Sequence, residues 1–87
     1  MDPRYWSSCV HLRVPPNRLR KVRSTLQAAE CLSEWPAAPG EAHLHAVRMC
    51  HAVLRHGAPR GVARDAFVLA AKEADIYMER RRRRRAN

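Results

Sequence analysis

Prolines limit where this chain can form regular structure. Pro15-Pro16-Asn17 has strong turn chemistry and directly follows Val10–Val14, a segment in which apolar and polar residues alternate. That alternation predicts a half-buried β-strand. Residues Leu19–Thr25 predict a second, weaker strand, and a loop of about four or five residues would join the two in a β-hairpin.

Three helices are predicted after the hairpin, over Leu26–Trp35, over Glu41–His56, and from Pro59 or Arg60 to about Asp75. Thr25 has the hydroxyl of an N-cap for the first helix, and Pro36, with Pro39-Gly40 behind it, forces a loop at its end. Gly57 stands where a left-handed C-cap of the second helix would fall.

A short closing strand is predicted at Ile76-Tyr77-Met78, with the end of the third helix as the alternative. The element order is then ββααα(β). This is an α+β fold with a small two- or three-stranded antiparallel sheet, β-hairpin first, packed by three helices. The predicted core consists of Trp35, Ala46, Cys50, Leu54, Phe67 and Ala70.

The 87 residues are enough for one small domain. We divide them into an N-terminal arm (1–9), a single α+β domain (10–79) and an arginine-rich disordered tail (80–87). Six of the 17 lysines and arginines form the tail run Arg80–Arg85, so removing that run lowers the net charge from +9 to +3. The N-terminus lacks the pattern of a secretory signal, and no apolar stretch is long enough to cross a membrane. We therefore expect a cytoplasmic protein without a membrane partner.

The cysteines and histidines do not form a catalytic or metal-binding pattern. Cys9, Cys31 and Cys50 contain no CxxC pair, and Cys50 and the adjacent His51 point about 100° apart on a helix. Cys31, Cys50 and His43 would approach one another if the first two helices pack, but buried structural cysteines are the expected outcome. We therefore predict no enzyme activity, no catalytic residues, no metal and no cofactor.

Basic residues are the candidate binding residues for nucleic acid. They lie on the hairpin (Arg18, Arg20, Lys21, Arg23) and in the tail (Arg80, Arg81, Arg82, Arg83, Arg84, Arg85). Such a set could neutralise several phosphates and give salt-dependent affinity. Two alternatives stay open: a basic hairpin edge protects a sheet from aggregation, and the tail could be a low-complexity extension.

Aromatic residues and the sheet edge raise the alternative of a protein partner or a homodimer. Two interpretations stay open for the aromatic residues Tyr5, Trp6 and Tyr77. They would either form an interface with a partner or complete a thin core. A short sheet with open edges could also pair with another copy of the chain.

One set of residues carries a family resemblance: Ala28-Ala29-Glu30, Leu32, Trp35-Pro36, Ala46, Cys50, Gly57, Ala63-Arg64-Asp65-Ala66-Phe67, Ala70-Ala71 and Glu73-Ala74. Over about residues 10–79 this pattern resembles the rhizobial family catalogued as domain of unknown function 982. The resemblance implies a small cytoplasmic α+β protein from a soil bacterium, without an activity or ligand to carry over. The first hypothesis for function is a small non-enzymatic binding or interaction domain. The alternative is a nucleic-acid-binding accessory protein that uses the basic hairpin and the arginine tail.

Overall fold

A computed structural model describes residues 5–15, 17–36 and 38–78. The tail run Arg80–Arg85 therefore lies outside the described residues. The elements are β1 (Tyr5–Val14), β2 (Arg18–Ser24), α1 (Thr25–Ser33), α2 (Glu41–His56), α3 (Arg60–Glu73) and β3 (Tyr77–Met78). No helix within the described ranges is long and apolar enough to cross a membrane. The predicted α+β class and element order are confirmed.

The sheet has the strand order β2-β1-β3, and both neighbours run antiparallel to the central strand β1. β1 begins at Tyr5, five residues before the predicted start. The prediction missed these residues because the pairing with β2 is irregular between Tyr5 and Val10, and the alternation of apolar and polar residues breaks down there. Val14 pairs with Arg18, so the hairpin loop has three residues rather than the predicted four or five. The closing strand is confirmed, since Leu12 pairs with Tyr77.

Helices cover one face of the sheet, and Phe67 of α3 lies at the centre of the core. Its side chain is fully buried, and its ring centroid lies 5.9 Å from that of Trp6 and 5.9 Å from that of Trp35. Such tilted aromatic pairs add stability beyond the apolar area that they bury. The sheet contributes Val10, Leu12 and Val22 to this core.

The predicted core residues are correct except for one. Ala46, Cys50, Phe67 and Ala70 are buried, and Trp35 is half-buried against them. The prediction for Leu54 is wrong, because 37% of its side chain is exposed. Leu54 lies one turn beyond Cys50 on α2, at the border between the core face of that helix and its outer face.

The helix ends differ from prediction at α1 and agree at α2. Ser24, rather than Thr25, is the N-cap of α1, and its hydroxyl accepts a hydrogen bond of 3.1 Å from the backbone N–H of Gln27. The Thr25 hydroxyl instead accepts a buried hydrogen bond from the indole N–H of Trp6. The predicted bounds of α2 are confirmed, and Gly57 adopts the left-handed conformation with φ +72°.

Candidate functional site

The two buried cysteines, Cys31 on α1 and Cys50 on α2, are poor nucleophiles. Burial raises the pKa of the Cys50 thiol to about 11. Burial also raises the pKa of Cys31, an effect that Arg20 opposes and Glu34 reinforces. The thiolate is the reactive form of cysteine, so Cys50 stays protonated and inert near neutral pH.

His43 joins α1 to α2 and lies beside an aromatic ring. Its Nε2 atom lies within hydrogen-bond distance, 2.9 Å, of the Leu32 carbonyl oxygen, and its ring packs on Trp35 with centroids 5.5 Å apart. In the described part of the chain, no three histidine, cysteine or acidic side chains are arranged to hold a metal ion. The contacts of His43 therefore give it a packing role.

Charge is strongly segregated between the hairpin and the rest of the fold. Residues 5–24 contain five lysines and arginines and no acid, whereas residues 25–78 contain five lysines and arginines and six acids. The five hairpin cations, Arg13, Arg18, Arg20, Lys21 and Arg23, are all exposed. The hairpin is thus a positively charged layer on a nearly neutral helical layer.

The predicted hairpin cations do not share one face of the sheet. Residues opposite each other on paired strands lie on the same face, so Arg20, opposite the buried Leu12, is on the helix-covered face. Arg18, opposite Val14, is on that face as well, and the two arginines flank a depression of about 250 Å³ near the hairpin turn.

Lys21 and Arg23 lie on the face opposite the helices, which we call the outer sheet face. Lys21 pairs with His11 on β1, and Arg13 pairs with Leu19. Arg13 is therefore a third cation of this face. The sequence prediction named four hairpin cations, none of them on the first strand, and so missed Arg13, although the alternation on that strand places it with the polar residues.

Besides the outer sheet face, the outer surface of α2 exposes apolar side chains. Leu44 is 51% exposed and Val47 37%, so together with Leu54 they form an apolar row on this helix. Beside this row, a groove of about 470 Å³ runs between α1 and α2, with Leu32 and Cys50 among its lining residues. This surface can accept apolar side chains from another molecule.

The aromatic residues that the sequence left open have different roles. Trp6 belongs to the core, and Tyr5 is 48% exposed at the start of β1. Tyr77 is half-buried, and the Lys72 ammonium lies 5.3 Å from its ring centroid. Tyr5, Trp6 and Tyr77 therefore do not form a single aromatic interface.

The comparisons with known proteins agree with this fold. The family described as "Protein of unknown function (DUF982)" matches residues 8–78. The chain belongs to this family. The NMR structure of Agrobacterium tumefaciens protein Atu1219 is similar, with 31% sequence identity and a TM-score of 0.74 over 92% of this chain and 81% of that one. No curated protein matches. The resemblance predicted from the sequence is confirmed, and the DUF982 match ends before the arginine run.

Proposed function

We propose that this member of the DUF982 family is a small non-enzymatic binding domain, and that it binds nucleic acid through the outer sheet face. One observation carries the proposal: three of the five exposed hairpin cations share the outer sheet face, in a hairpin that has no acid, while the helical layer is nearly neutral. Neither the family description nor the name of the solved relative states a ligand. The proposal therefore rests on the charge and the exposure of the hairpin side chains.

The outer sheet face has the elements of a phosphate-binding surface. Arg13 and Lys21 lie on adjacent strands, and Arg23 lies two residues beyond Lys21 on the same side of β2. Each phosphate that a cation neutralises contributes about −0.9 to the slope of log affinity against log salt for duplex DNA. Three cations on this face thus predict a slope contribution of about −3. No base-reading residue is assigned, so binding should depend little on sequence.

The non-enzymatic part of the proposal is supported by the state of the thiols. A catalytic cysteine needs a thiolate at neutral pH, and burial works against one at Cys31 and Cys50. Both side chains are almost fully buried and belong to the core. Their observed environment is that of structural residues.

The test measures the binding of labelled duplex DNA and single-stranded RNA across a salt series. The outer-face variant is Lys21→Gln/Arg23→Gln. Its matched control, Arg48→Gln/Lys72→Gln, removes two exposed cations from α2 and α3. A third full-length variant replaces Arg80–Arg85 with glutamine.

We expect the outer-face variant to bind more weakly and to lose about 2 from the salt slope, while the control binds like the unaltered chain. Equal losses in the outer-face variant and the control would contradict the proposal, since binding would then follow net charge alone. Binding lost only with the tail arginines would contradict it as well, because the fold would have no part in recognition. In that case the hairpin cations would serve to protect the β2 edge from aggregation.

A further inference from the structure

We propose that a second copy of this chain packs against the outer face of α2, with the two helices antiparallel. The outer face is formed by Leu44, Val47, His51 and Leu54, and all four side chains are exposed. Their spacing of three, four and three residues is that of the seam in an antiparallel helix pair or coiled coil. This inference uses a different surface from the nucleic-acid proposal and does not depend on it.

The outer face begins at the border of the side of α2 that faces the core, where Val47 and Leu54 are 37% exposed, and extends away from it to Leu44. Ala46 and Cys50 are the buried residues of the helix, and they pack with α1 and α3. A helix at the surface of a single small domain needs only one apolar side. Isolated exposed leucines are common on protein surfaces, but a row at seam spacing extends the apolar side of α2 beyond the part that α1 and α3 cover.

The shape of this face suits packing against a copy of itself. Val47 and His51 line both the groove of about 470 Å³ toward α1 and a second depression of about 320 Å³ bordered by Arg48 and His56. They therefore form a ridge with a groove on either side. Helices pack by fitting the ridge of one into a groove of the other, and a two-fold axis allows both copies to do so at once.

The charges at the two ends of α2 complement those of a second copy and set the direction, while Arg48, midway between Glu41 and Arg55, lies opposite Arg48 of the other copy. Glu41 lies in the first turn of α2, and Arg55 and His56 lie in the last. An antiparallel pair places Glu41 of each copy near Arg55 of the other, whereas a parallel pair would place like charges together. The helix dipoles also favour the antiparallel arrangement.

The pairing leaves the outer sheet face free. α2 packs mainly on α3 and α1 rather than on the strands, so these two helices separate it from the sheet. A dimer through α2 would present two basic hairpins, one from each copy.

The experiment measures the mass of the full chain by sedimentation over a range of concentrations, in the absence of nucleic acid. The variants are Glu41→Arg, Arg55→Glu and the two combined. Val47→Glu puts a charge at the centre of the seam of each copy, and Leu69→Glu is the matched control on the exposed surface of α3. Circular dichroism verifies that each variant folds.

We expect a monomer–dimer equilibrium in which either single charge reversal weakens dimerisation about tenfold and the double reversal restores it. Val47→Glu should yield a folded monomer, while Leu69→Glu dimerises like the unaltered chain. A chain that is monomeric at every concentration would overturn the inference. So would a dimer that survives Val47→Glu, or a double reversal that fails to restore dimerisation. Because nucleic acid is absent, none of these results bears on the proposed function.

Discussion

Replacing Phe67 with alanine tests the central packing of the fold. The ring is fully buried and contacts Trp6 and Trp35. Burying a phenylalanine contributes up to about 3 kcal/mol, and each aromatic pair adds about 0.5–1.5 kcal/mol. With the cavity left behind, we expect Phe67→Ala to lower the free energy of unfolding by about 3–5 kcal/mol. A domain of 87 residues has roughly 4–13 kcal/mol in total, so the loss is a large part of its stability.

Urea denaturation followed by tryptophan fluorescence measures this loss, because both tryptophans contact the replaced ring. Leu69→Ala, at a site 55% exposed on the same helix, is the control and should cost less than about 1 kcal/mol. If Phe67→Ala does not fold, Phe67→Leu retains most of the volume and should cost about 1.5 kcal/mol. A loss below about 1 kcal/mol for Phe67→Ala would refute the assignment of Phe67 to the centre of the core.

Three further predictions concern a cap, a backbone conformation and a thiol. Ser24→Ala removes the hydroxyl that accepts from the Gln27 N–H and should cost about 1 kcal/mol in urea denaturation; no loss would contradict the N-cap assignment. Gly57→Ala should lower the free energy of unfolding by about 1 kcal/mol, because Gly57 has a positive φ. Gly61→Ala has open space around the new Cβ and should stabilise α3 slightly. Changes of the same sign in the two variants would contradict this prediction. Cys50 should react with iodoacetamide about 100-fold more slowly in the native than in the unfolded chain at pH 8, since burial raises its pKa from 9.0 to about 11. Equal rates would contradict its burial. For the same reason the contribution of Cys50 to stability should fall between about pH 9 and pH 11, where only the unfolded state has released the proton.

Sequence patterns predicted the helices better than the strands. α2 was predicted to the residue because its signals are local: a regular apolar face, Pro39-Gly40 before it and Gly57 after it. The first half of β1 was missed because its pairing is irregular and depends on residues distant in the chain. Ser24 and Thr25 are adjacent hydroxyl residues, and only the tertiary contact of Thr25 with Trp6 decides which of them caps α1.

The candidate surfaces could be predicted only in part. The sequence indicated a basic hairpin, but which cations share a face depends on register, and a loop one or two residues shorter than expected changes the strand pairing. Leu54 was assigned to the core because it follows the periodicity of Ala46 and Cys50. Periodicity cannot distinguish the centre of an apolar face from its border, where a second exposed row begins.

The order of the strands has a consequence for synthesis on the ribosome. β1 is the central strand, yet one of its neighbours, β3, follows all three helices in the chain. His11 therefore cannot pair with Met78 until 67 further residues have been synthesised. Until then the nascent chain displays an unpaired strand edge, the feature that most readily recruits other chains into aggregates. Because β3 comes last in the chain, this exposure during synthesis follows from the topology itself. It does not depend on what the folded protein binds.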